Sequence, residues 1–246
     1  MTFARPDPIS DLDTLPRMPA WVTSARAETL EDVAFLSGAA LNHLHLVLGR
    51  AEVPQALLRD RLALRAAEAC VAFSGRLERA GDLRDAVHLL RSGDLPGPAG
   101  ETCLAWRRAV ERPVSTKALG RALPAFESGK IAMWLNAGKG APVTRAAMVL
   151  EAVLTEAPRA DVASLVLADV ALAQALGWDH LVPLLAPGLK RADLRKQGDD
   201  LRLASHRAII PSVIEAARHA ADLARRAAHL KAVAPKLRAK GAGDAV

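Results

Sequence analysis

Tyrosine is absent from this chain of 246 residues, and aromatic residues of every kind make up only 3% of it. Strands favour β-branched and aromatic side chains, so this shortage argues against a sheet core. It also removes the stacking platforms on which a single-strand nucleic-acid binder lays its bases. Cysteine is nearly as scarce. Cys70 and Cys103 fall in no Cys-x-x-Cys spacing, and no His-x-x-x-His pair accompanies them. That pattern excludes the usual zinc signatures and a disulfide framework, and leaves two reduced thiols buried on helical faces. Long apolar runs are missing too. The most apolar stretch, Val162 to Trp178, is broken by Asp169 and Gln174 and falls short of the roughly 20 residues a bilayer span needs. The first residues carry Asp7, Asp11 and Asp13 instead of a basic-then-apolar leader. The chain therefore reads as cytoplasmic, with no membrane partner.

What is abundant is alanine, leucine and valine, within a hydrophobic share of 51%. Alanine and leucine are strong helix formers, and the apolar positions recur at helical spacing. The fold class predicted is all-α: a multi-helix bundle of about nine to ten helices, ending in a long, kinked, basic C-terminal helix. Residues 1–24, with Pro6, Pro8, Pro16 and Pro19, read as an extended lead-in docked by Trp21. An N-terminal helical half follows over 25–136. The Gly-rich loop from Ala137 to Pro142 separates it from a C-terminal half over 143–235, packed on the first as one domain. Residues 236–246 read as a flexible tail.

Local signals place the helices. A first helix runs from Ala25 to Gly49, or begins instead at a Thr29 cap with Asp32 in its first turn. Pro54 opens the second in its first turn, and Gly75 stops it. Asp82 starts a short third helix. The segment from Ser92 to Gly100 is a rigid turn leading to a fourth, which carries Cys103, Trp106 and Val110. Ser115 and Ser128 are read as caps of the fifth and sixth helices. Two helices near Val143–Ala157 and Arg159–Leu176 are apolar on most sides and belong at the centre. Asp179 caps a segment interrupted by Pro183 and Pro187. Asp199 and Asp200 then open the long last helix, kinked at Pro211 and reaching about Ala234.

Charge is unevenly spread. Thirteen of the 33 Lys and Arg residues, against six of the 27 Asp and Glu residues, lie from Lys190 onward. That surplus exceeds the net +6 of the whole chain, so the remainder is close to neutral. A solvated basic helix face is one reading; contact with phosphates or an acidic partner is the other. On the second reading the contacts fall to Arg202, Arg207, Arg218, Arg225, Arg226 and Lys231, and the partner is duplex DNA or an acidic protein. No clean helix-turn-helix accompanies them. Oligomeric state is left open, with a homo-oligomer compatible.

Chemistry-bearing clusters are few. His43 and His45 stand two apart on a helix and so face different ways, one buried and one exposed. His206 beside Ser205 lacks an orienting acid at helical spacing. The loop Gly138-Lys139-Gly140 precedes a helix without the strand or the spacing of a phosphate-binding loop. No catalytic residue, metal ligand or cofactor follows from these patterns.

Several segments together resemble one family. They are Leu62–Ala67, Leu83–Val87 followed by the GDLPGPAG turn at Gly93–Gly100, the ALGWDHLVPLL run at Ala175–Leu185, and the KRADLRK-containing run at Leu189–Leu201. The chain resembles the bacterial family called domain of unknown function 1403 from about Leu15 to Val246. The resemblance implies a small winged-helix element beyond the end of this chain, which would make the chain a short member or one cut off by a frameshift. A weaker likeness is to the helical Fic fold of nucleotide transferases, whose inhibitory helix Glu68–Gly75 would occupy. There Cys70 stands for the serine and Ser74 for the glutamate, and the catalytic His-Pro-Phe-x-x-Gly-Asn-Gly motif is absent. The function expected is a non-enzymatic regulatory or interaction module working through the basic C-terminal helix. The alternatives are a diverged Fic-like nucleotide transferase and an inactive truncated remnant.

Overall fold

The computed structural model describes residues 15, 17–24, 27, 29–91 and 93–239, with side chains described as far as residue 234. Among these residues every regular element is helical. In chain order they are α1 (Ala20–Ser24), α2 (Leu30–Leu48), α3 (Gln55–Phe73), α4 (Ala80–His88), α5 (Gly97–Glu111), α6 (Thr116–Ala122), α7 (Ser128–Ala137), α8 (Pro142–Glu156), α9 (Asp161–Ala175), α10 (Leu185–Gly188), a 3-10 turn at Asp193–Arg195, and α11 (Gly198–Ala239). No helix among the described residues is long and apolar enough to cross a membrane.

α9 is the centre. Every residue from Ala163 to Ala173 is buried, as its all-round apolar sequence requires. α8 lies along it, α3 pairs with α5, and α11 packs on α2 and α8. One hydrophobic cluster runs from Val22 to Ala224 and joins helices on both sides of the loop from Ala137 to Pro142. Trp106 is fully buried in it and donates its indole N–H to Cys70 Sγ at 3.4 Å. Cys70 and Cys103 are both buried free thiols.

The caps hold in part. Thr29 is the cap of α2: its hydroxyl oxygen accepts the Asp32 N–H at 3.1 Å, which moves the helix start from Ala25 to Leu30. Ser115 caps α6 by accepting the Ala118 N–H at 3.2 Å. Asp82 lies inside α4 rather than at its cap, where its carboxylate reaches back to the Arg79 N–H at 2.9 Å. Ser128 is the first residue of α7, and Glu127 holds the cap position without a side-chain bond.

Three stretches correct the sequence reading. The end of the lead-in, Ala20–Ser24, is helical rather than extended, because Val22 is buried and Trp21 stacks on Phe35 with ring centroids 5.6 Å apart. The earlier lead-in residues 1–14 and 16 lie outside the described ones. The segment after Asp179 forms only the four-residue α10, its two prolines leaving too few free N–H groups for more. α11 continues past Ala234 to Ala239, into the expected tail, where alanine, leucine, lysine and arginine all favour helix; residues 240–246 lie outside the described ones. Pro211, the position of the expected kink, lies inside the continuous α11, on its exposed side. At 1.5 Å per residue its 42 residues make a rod about 63 Å long.

Candidate functional site

The helical phase of α11 sorts the six cations singled out from the sequence. Ile209, Val213, Ala216 and Ala220 are buried and define the inward face. Arg207, Arg218 and Arg225 fall within about 20° of one another on the opposite side, over a length of about 27 Å. All three are exposed. Arg202 points elsewhere and pairs with Asp199 in the first turn. Arg226 and Lys231 flank the inward stripe on its two sides. The six therefore make a line of three, a flanking pair near the far end and one residue in the first turn, and Arg202, Arg225 and Arg226 are held in ion pairs on the same helix.

Glu215 and Asp222 of α11 are engaged by arginines. Glu215 takes Arg65 of α3 at 2.9 Å. Asp222 takes Arg61 at 3.5 Å, Arg225 at 3.9 Å and Arg226 at 3.1 Å. Asp222 is also the last acid before the end of the helix. From Leu223 to Ala239 the sequence holds five cations and no acid. Past Ala224 the helix leaves the core, since no described side chain from Arg225 to Ala234 is buried.

A large cavity, about 1320 Å³, lies elsewhere. The end of α3, the GDLPGPAG turn, the start of α5 and the loops before α7 and α9 form its walls. Its floor is apolar, with Val71, Leu104, Leu123, Phe126 and Val162. Cys70 and Ser74, the positions of the weaker likeness, both line it. Its charged residues are balanced: Arg76, Arg108 and Arg159 against Asp94, Glu101 and Asp161. Arg76 is paired with Glu78, and Asp94 accepts the Arg91 N–H at 2.9 Å. Leu77, Leu89 and Leu95, each next in sequence to a lining residue, are 87%, 75% and 89% exposed.

The buried polar groups serve the helix packing. His206 is not paired with Ser205; its Nδ1 lies 2.7 Å from the hydroxyl of Ser37 on α2, which also reaches the Ala34 carbonyl at 3.0 Å. Burial, with Arg202 adding, lowers the His206 imidazole to about 4, so the ring is neutral at pH 7. No carboxylate bonds that ring, and the pair works as a polar cross-link between α2 and α11. Ser205 and Ser212 have buried hydroxyls without a hydrogen-bond partner. His43 is buried and His45 exposed. The latter accepts the Trp178 indole N–H at 2.9 Å and so fastens the GWDH run to α2. Asp169, fully buried in α9, accepts the N–H groups of Leu184 and Leu185 at 3.2 and 3.1 Å and supports the start of α10. Among the described residues no group of three or more His, Cys, Asp or Glu is arranged to hold a metal ion.

Sequence reasoning missed Ser37, which is 169 positions from His206 and carries no local signal. It also left Asp169 unused, although an acid inside an apolar run was the signal that a buried backbone needed an acceptor.

Comparison with known proteins places the chain by family alone. The model of a family described as "Protein of unknown function (DUF1403)" matches residues 6–246. No curated protein and no solved structure matches the chain.

Proposed function

Because the chain belongs to the DUF1403 family, whose description names no activity, we propose from the geometry alone a non-enzymatic interaction module that binds an acidic macromolecule through the far end of α11. One observation carries this reading: from Arg225 on no described side chain of α11 is buried, and as far as Ala239 the helix holds cations without a single acid. Asp222 is the one acid that reaches this run, pairing with Arg225 and Arg226, so the five cations keep a surplus of positive charge and its attraction for anions. Duplex DNA and an acidic protein both supply the required charge. The line Arg207, Arg218 and Arg225 extends the same field back along the outward face.

Fluorescence anisotropy with labelled duplex DNA and with poly-L-glutamate tests it. Binding is expected to weaken steeply as salt rises. Replacing Arg225, Arg226 and Lys231 together with glutamine should lower affinity at least about tenfold at low salt and reduce the duplex salt slope by about three. Arg202→Gln should change neither quantity, because Arg202 lies in the first turn of α11 beside Asp199, about 34 Å along the helix from Arg225. Absence of salt-dependent binding to both polymers, or a triple variant that binds as well as the parent, would refute the proposal.

A further inference from the structure

Eight positions on α11 alternate at spacings of four and three without a break: Ile209, Val213, Ala216, Ala220, Leu223, Ala227, Leu230 and Ala234. The sequence carries the alternation on to Leu237. This is the seven-residue repeat of a coiled-coil seam, not merely the broad apolar face of a surface helix. The first five of these residues are buried against the protein's own helices, Leu223 being 3% exposed. The seam does not stop where the body stops. Leu230 is 68% exposed, and Ala234 is exposed as well.

We infer that the partner is an amphipathic α-helix with acidic residues bordering its own apolar seam, and that it packs on the Ala227–Ala234 stripe of α11 as a two-helix coiled coil. The inference rests on the acidic-partner reading above and deepens it. Three features argue for this occupant. The exposed stripe continues a seam that is an established helix interface along its first half, so the same spacing that fits α11 to the body fits a helix beyond it. Alanine alternates with leucine there, and small residues let two helix axes approach closely. The bordering positions are Arg226, which shares Asp222 with Arg61 and Arg225, on one side and Lys231 on the other, and this net positive border selects carboxylates on the partner.

Those same cations argue against a second copy of this chain. Without an acid between Leu223 and Ala239, two such arms would set cation against cation in either orientation, which opposes pairing.

The test uses the intact chain and a synthetic four-heptad helix with Ala at a, Leu at d and Glu at e and g. A peptide with Lys at e and g, duplex DNA, poly-L-glutamate and vesicles rich in phosphatidylserine serve as the other arms. The Glu peptide is expected to bind and the Lys peptide to fail. Leu230→Ala should weaken the Glu peptide by about tenfold, the loss of one buried leucine body, while leaving poly-L-glutamate and duplex binding unchanged. Because Leu230 is exposed, this variant should melt with the parent. Exchanging Arg226 and Lys231 for glutamate should invert the preference toward the Lys peptide. If the Glu peptide binds no better than the Lys peptide, or Leu230→Ala leaves its binding unchanged, the helix inference falls. Retained salt-dependent binding to poly-L-glutamate or DNA would then show that the acidic-partner reading survives it. Tighter binding to the vesicles than to the Glu peptide would overturn the inference in favour of a lipid surface.

Discussion

Gly188→Ala is expected to destabilise the protein by about 3 kcal/mol or more, the upper end of what overpacking a well-packed core costs. The added Cβ would stand 2.2 Å from the Ala208 carbonyl oxygen and 2.7 Å from both the Ala208 carbonyl carbon and Ser212 Oγ. Two of these three atoms are backbone of α11, in a stretch where Ala208 and Ile209 are buried. A flexible side chain would swing aside; a hydrogen-bonded turn pinned on α2 and α8 cannot. The relief must come from separating α10 from α11. Against a total stability of about 5–15 kcal/mol that is a large fraction, and for a chain of this size it lowers the melting temperature by roughly 6–12 °C. Gly129→Ala is the control. Its Cβ would meet nothing within 4 Å, and an alanine in place of an exposed helical glycine should stabilise by about 1 kcal/mol. Urea midpoints at unchanged m-value measure both. A Gly188→Ala protein that melts with the parent would show that α10 does not press on α11 as described. The contact matters beyond stability, because α10 holds the early turns of α11 whose last turns form the proposed binding arm.

Much of this architecture was legible because helices announce themselves locally. The apolar period placed α9 at the centre, and the caps at Thr29 and Ser115 follow from side chains three residues from the groups they serve. Trp21 was read as the residue docking the lead-in. It does stack on Phe35, although the buried residue there is Val22. What was not legible is what distance in sequence conceals. Ser37 and His206 meet only because α2 and α11 cross. The large groove is walled by segments of α3, α5 and three connecting stretches, and its most visible sign was the GDLPGPAG turn, read only as rigid. The four-three seam on α11 is written plainly in the sequence. The point at which the body stops covering it is not, because that depends on where α2, α3 and α8 end in space. The basic surplus was likewise visible as a count, but the ion pairs that Asp199 and Asp222 make within it required their positions in space.

The pH dependence of stability should separate two buried groups in the interior of the bundle, Asp169 and His206. Burial raises the Asp169 carboxyl from 3.8 to about 8, outweighing the N–H bonds from Leu185 and Leu184 that favour its ionised form. Between about pH 4 and pH 8 the folded protein therefore holds a proton that the unfolded chain has released, and stability falls as pH rises through that window. His206 has the opposite sign. Its folded value of about 4 lies below the ordinary 6.5, so between those limits the unfolded chain holds the extra proton and stability rises with pH. The two contributions oppose each other up to about pH 6.5; above it Asp169 acts alone. The expected profile for the parent is nearly flat at acid pH and then declines by at most about 1.4 kcal/mol per pH unit toward pH 8. In Asp169→Asn the decline should vanish and a rise between pH 4 and 6.5 should emerge. An asparagine carbonyl placed as Oδ2 can keep both N–H groups, which lie 3.2 and 3.4 Å from it. In His206→Gln the decline should instead begin near pH 4. Asp161 is raised by burial, and His43 and His180 are lowered by it; they add to the same two senses, so each variant is compared with the parent by difference. Denaturant titrations across pH 4–8 provide the measurement. If Asp169→Asn keeps the parent's slope above pH 6.5, the carboxyl is ionised inside the folded bundle, and its two N–H partners outweigh the loss of water.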